Sequence, residues 1–153
     1  MRISNLCLSI LFSTILLVSC NNGDNNSLPN KPSENKCYKG ELTVDQNDGT
    51  FYNQSDVEVD FEIKDDKLNF VMYKVKFASG MPIKLDMVVE GVSFEEYAYG
   101  CYTISGDGII PYAMGGPFER FIITELIGEI TPSNITLEFM CGEYPVTYNG
   151  AKK

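Results

Sequence analysis

Apolar and polar positions alternate along much of the chain with a period of two. Val57, Val59, Phe61 and Ile63 are interleaved with Glu58, Asp60 and Glu62. Ile83, Leu85 and Met87 are interleaved with Lys84 and Asp86, and Ile135, Leu137 and Phe139 with Thr136 and Glu138. Successive side chains of a strand point to opposite faces, so this period predicts half-buried strands with one face in a core and one in water. No long window carries a helical period. Turn signals separate the runs: Asn47-Asp48-Gly49, Asp65-Asp66, Ala78 to Pro82, Ser105 to Gly108, Met114 to Pro117, Thr131 to Asn134 and Cys141-Gly142. The pattern predicts eight strands, at about 37–46, 56–64, 67–77, 83–93, 97–105, 117–129, 134–141 and 144–149. Eight antiparallel strands with short connections favour an all-β, up-and-down barrel, because closure removes the exposed sheet edges.

The N-terminus departs from this pattern. Arg2 precedes an apolar run from Leu6 to Val18, 13 residues long. A bilayer span needs roughly 20, so the run has the size of a signal-peptide core. It ends in Leu17-Val18-Ser19-Cys20, which resembles the lipobox of bacterial lipoproteins. The resemblance implies cleavage before Cys20, acylation of its thiol and new amino group, and palmitate-type chains as the anchor. Asn21 after the cysteine implies outer-membrane delivery, on either the periplasmic leaflet or the cell surface. Residues 20–36, rich in Asn, Ser and Pro, cannot bury enough apolar surface to order themselves and are expected to act as a tether. The domain reading is therefore a leader over 1–19, a lipidated cysteine and tether over 20–36, a barrel over 37–149 and a tail over 150–153.

Charge and composition narrow the chemistry. The chain of 153 residues carries a net charge of −9 and has no histidine. An acidic protein lacks the basic face that phosphate recognition needs, so no nucleic-acid partner is expected. Without histidine the usual general base and the common nucleophile pairs are gone, and no catalytic residue, cofactor or metal is assigned. The Asp45–Gly49 turn has the wrong spacing for a calcium loop and reads as a hairpin. Beyond Cys7 and Cys20, the cysteines are Cys37, Cys101 and Cys141. In an oxidising compartment they allow three single bridges, and an up-and-down strand count favours Cys37–Cys101.

One segment breaks the rule that loops are polar. Between Gly108 and Phe118 the chain places Ile109, Ile110, Tyr112, Met114 and Phe118 among glycines and prolines. Such a loop must bury itself, as a plug, a ligand lid or a protein contact. The run that follows has apolar residues in both parities. If Phe121, Ile123 and Ile127 face inward, so does Glu125; if Phe118, Ile122, Leu126 and Ile130 do, Arg120 joins them. Either residue would give the lumen one orienting charge.

Three pieces together resemble the calycin-like (lipocalin-like) β-barrel domains of gut bacterial lipoproteins. They are Tyr38 to Val44, with the form Y-x-G-x-L-x-V; Phe77 to Ser93, with its Gly80-Met81-Pro82 turn; and Gly128 to Leu137. The resemblance covers about residues 37–149 and implies a barrel, with no shared activity or binding residues. The 108–118 connection and the three cysteines depart from the commoner pattern. Two functional readings follow. One is a lipid-anchored barrel holding a small apolar or amphipathic ligand. The other is a non-enzymatic envelope protein whose filled barrel contacts a protein or glycan. An enzyme would need two inward carboxylates on one substrate. Large inward residues (Phe61, Phe70, Met72, Met87, Phe121, Phe139) favour a filled barrel, and a cavity of about 300 Å³ or more favours a ligand.

Overall fold

The computed structural model describes residues 37–153. The expected leader, the Cys20 lipidation site and the tether lie outside the described residues. The chain forms ten strands: β1 (Tyr38–Asp45), β2 (Phe51–Lys64), β3 (Lys67–Val75), β4 (Leu85–Ala98), β5 (Cys101–Gly106), β6 (Tyr112–Ala113), β7 (Gly116–Pro117), β8 (Ile123–Ile130), β9 (Asn134–Cys141) and β10 (Tyr144–Lys152). Eight of them form an antiparallel ring in the order β1-β2-β3-β4-β5-β8-β9-β10, closed by the pairing of β10 with β1. This is the all-β up-and-down barrel that the alternation predicts. The remaining two, β6 and β7, make a small hairpin inside the connection from β5 to β8.

Alternation dictates the core. In β9, Ile135, Leu137, Phe139 and Cys141 face inward and Asn134, Thr136 and Glu138 outward. In β3, Leu68, Phe70 and Met72 are buried while Lys67 is exposed. Tyr148, Phe70, Met72, Met87, Leu42 and Leu137 fill the waist, each at most 1% exposed. An eight-stranded ring is narrow enough for side chains of this size to fill it.

The two poles of the barrel differ. The turns 65–66, 99–100 and 131–133 lie at one pole, together with both ends of the described chain. The lysine at the C-terminus is tied there, Lys153 N–H donating to Cys37 O at 3.0 Å. Inside this pole four aromatics stack in series. Tyr38 lies on Phe61, Phe61 meets Tyr102 edge-on, and Tyr102 meets Phe94 edge-on, at centroid distances of 6.2, 6.0 and 5.8 Å. The Tyr38 hydroxyl donates to Thr131 O at 2.6 Å and fixes this plug to the wall. Tyr97 and Tyr99, grouped with Phe94 and Tyr102 in the sequence, point outward instead, and Tyr99 is 98% exposed.

At the other pole the wall opens. Pairing of β2 with β3 covers Glu58–Lys64 and stops before Phe51–Val57. Strand β4 pairs with β5 only over Ser93–Ala98, leaving Leu85–Val92 to pair with β3 and, at Val88, with Tyr112 of β6. The splayed wall is bridged by the 107–118 connection. Ile109 exchanges two backbone hydrogen bonds with Ile123 of β8, at 2.9 and 2.8 Å. The segment is thus a wall patch between β4 and β8, one of whose ends reaches the mouth.

Strand boundaries differ from the sequence reading, and the break expected at 94–96 is absent: β4 runs on to Ala98 and β5 begins at Cys101. Strand β2 begins at Phe51, because Phe51 to Asp56 extends the hairpin past the apolar alternation. Strand β8 begins at Ile123, because Glu119–Phe121 turns as a short 3-10 helix. The expected tail at 150–153 continues β10, with Gly150, Ala151 and Lys152 paired to Gly40, Lys39 and Tyr38.

Candidate functional site

A cavity of about 590 Å³ occupies the open pole. Its lining comes from three separate connections and the first residue of a strand. Gln46 and Asp48 belong to the β1–β2 turn, Ala78 to Ile83 to the β3–β4 connection, Met114, Phe118, Arg120 and Phe121 to the β5–β8 connection, and Tyr144 opens β10. Its size lies within the range of roughly 300–1,000 Å³ typical of small-molecule sites.

The floor is aromatic and continuous with the core. Buried Phe77 lies 5.8 Å from Phe121, and Phe121 lies 4.9 Å from Phe118, centroid to centroid. Met81 packs against this core, its sulfur accepting the Phe77 N–H at 3.2 Å. The short helix that carries Arg120 is pinned from below. Gly142 N–H donates to Ile122 O at 2.8 Å, and the Cys141 thiol donates to Phe121 O at 3.8 Å. Gly142 has φ +61, and a Cβ there would stand 2.6 Å from Arg120 O, so glycine is what lets the turn settle onto the strand end. Burial pushes the Cys141 thiol well above its ordinary value, which suits a packing role and not a nucleophile.

The polar groups are few. The Arg120 guanidinium lies 5.6 Å from the Phe121 ring centroid and enters no ion pair among the described residues. Gln46 Oε1 accepts the Ser79 N–H at 3.0 Å, which turns Nε2 the other way; that Nε2 is buried and has no hydrogen-bond partner. Asp48 gives Oδ1 to both the hydroxyl and the N–H of Thr50. The Thr50 hydroxyl first, and its N–H second, hold the Asp48 carboxyl below its ordinary value.

Of the residues singled out in the sequence, Met114, Phe118 and Arg120 meet at this mouth. Met114 is 73% exposed and sits with Gly115 at a two-residue turn in which both have positive φ, +55 and +85. A methionine in that region is unusual, and such strain concentrates where ligands are clamped. Ile109 is half-buried in its bridge to β8, while Ile110 and Tyr112 are exposed and do not line the cavity. Glu125 is not an inward charge. It sits exposed at a bulge in β8 with φ +54, its N–H held by Asp107 Oδ1 at 3.1 Å. The bulge switches parity, so Ile123 faces in before it and Leu126 and Ile130 after it. Neither uniform alternation holds, and Ile127 is left outside. Cys101 opens β5 at the sealed pole, where Cys37 also lies just before β1.

The sequence reading missed Gln46, Asp48, Met81, Ile83 and Tyr144. Their signal was weak: Met81 and Ile83 are apolar residues in a turn, like those of 108–118. Among the described residues no three His, Cys, Asp or Glu side chains converge as a metal site. Comparison of the chain with protein-family models, curated proteins and solved structures finds no match.

Proposed function

We propose that the chain is a lipid-anchored envelope protein, calycin-like in its barrel, that binds a small apolar or amphipathic ligand at the open pole and catalyses no reaction. The observation that carries this reading is the 590 Å³ mouth with its Phe121–Phe118 floor. The waist below is filled, so the ligand sits in the mouth and does not thread the barrel. The anchor rests on the Leu17-Val18-Ser19-Cys20 segment. Both ends of the described chain lie at the sealed pole, opposite the mouth. A second reading, a filled barrel contacting a protein or glycan, is favoured by the packed waist and by outward Tyr97, Tyr99 and Ile63.

Native mass spectrometry of residues 21–153, purified gently from the envelope of the producing cell, separates the two. An added mass that is lost on denaturation identifies a retained ligand and its class. A bare chain that also fails to take up any amphiphile rules out the first reading and leaves the second.

A further inference from the structure

We infer that the mouth selects ligands with an anionic head on an apolar body, and that Arg120 and Gln46 receive the head. The inference rests on the ligand-binding reading above and goes further by fixing the sign of the ligand's charge. Its basis is an imbalance among the polar groups of the lining. Arg120 brings only donors, and no carboxylate among the described residues pairs with it. Gln46, a residue of the lining, carries in Nε2 a buried donor without an acceptor. The one carboxylate on the lining, Asp48, already takes two hydrogen bonds from Thr50. Both bonds fall on Asp48 Oδ1, so the uncommitted groups of the lining are two donors, the Arg120 guanidinium and Gln46 Nε2, against the single oxygen Asp48 Oδ2. The apolar body has its own place on Phe118, Phe121 and Met81, and Met114 stands over it at the strained tip of its hairpin. A planar or tetrahedral oxyanion satisfies a guanidinium and an amide together, whereas an alcohol gives the guanidinium no charge.

The test is calorimetric titration of residues 21–153, which contain the whole closed ring, with four probes of equal chain length: dodecanoate, dodecyl phosphate, dodecanol and dodecylamine. The expected result is that one or both anions bind at least about tenfold tighter than dodecanol, and that Arg120→Gln removes this preference. Which anion binds better distinguishes a carboxylate from a phosphate head. Arg120 is exposed on a short turn, so the variant should fold, and its urea midpoint checks this. Equal binding of anions and dodecanol, unaffected by Arg120→Gln, would overturn the inference and leave the ligand-binding reading standing. Preference for dodecylamine would overturn it too and shift the role to Asp48. Binding of none of the four would remove both.

Discussion

Gln54 is the one buried polar side chain of the described barrel, and it stands where β2 and β3 part. Its Nε2 donates to Lys74 O at 2.6 Å and its Oε1 accepts from Lys76 N at 3.3 Å. One side chain thus replaces the ladder bonds that the diverging strands no longer make. Gln54→Leu should destabilise the barrel by about 1–3 kcal/mol, because two backbone groups lose their partners, and urea unfolding measures it. This role was not legible in the sequence, where Gln54 sits between Asn53 and Ser55 in a polar stretch. The tyrosines make a second prediction at this scale. Burial, then Cys37 and Glu58, push the Tyr148 phenol well above its ordinary value, and its hydroxyl donates to Val57 O at 2.9 Å. Burial first, then Asp60 and Asp86, push Tyr73 up to about 12. In the unfolded chain a tyrosine ionises near pH ~10. The fold prefers the neutral phenol, so this stabilisation is complete below pH ~10 and is lost as pH rises through the folded values. Urea midpoints measured against pH should fall on the alkaline side above that point, and the fall should be shallower in Tyr148→Phe.

Strands, as elements, depart from ideal alternation at bulges, and three of these bulges are held by a side-chain oxygen on a neighbouring segment. Lys74, with φ +52, gives its N–H to Asp86 Oδ1 at 2.8 Å. Gly91 gives its N–H to Asn69 Oδ1 at 2.9 Å. Glu125 gives its own to Asp107. The alternating runs of β2 and β9 were read correctly because burial on one face imposes the period. Strand β8 was not, because a bulge resets parity without leaving a Gly or Pro to mark it. Since Glu125 is exposed and left-handed, its side chain matters less than its backbone. Glu125→Gly should lie within about 0.5 kcal/mol of the parent, and Glu125→Val should lose about 1–2 kcal/mol. Paired chemical-denaturation curves check both.

At the scale of the whole molecule, the ring was legible and the mouth was not. Closure follows from eight alternating runs with short turns, a pattern spread over the full length of the domain. The mouth is assembled from three connections and the start of β10, distant in sequence, none of which carries a site signature alone. Only the closed ring brings Gln46, Met81, Arg120 and Tyr144 to one place. The apolar 108–118 segment showed that something at this end needed covering. Its division between wall patch and rim depends on the gap between β4 and β8, which no local pattern encodes.

The pairing of β1 with β10 has the same character as every other seam in the ring: Tyr38 faces Lys152, and the register runs unbroken to Val44 and Val146. The barrel therefore has no mechanical beginning. A circular permutant that joins Lys153 to Cys37 through a short linker and starts at Asp66, in an exposed turn, should fold to the same spectrum and unfold in one transition. Failure to fold would mean that β1 and β2 must pair first. Success would mean that no seam of the ring has to form before the others, so that the order of the strands along the chain is separable from the closed architecture they build.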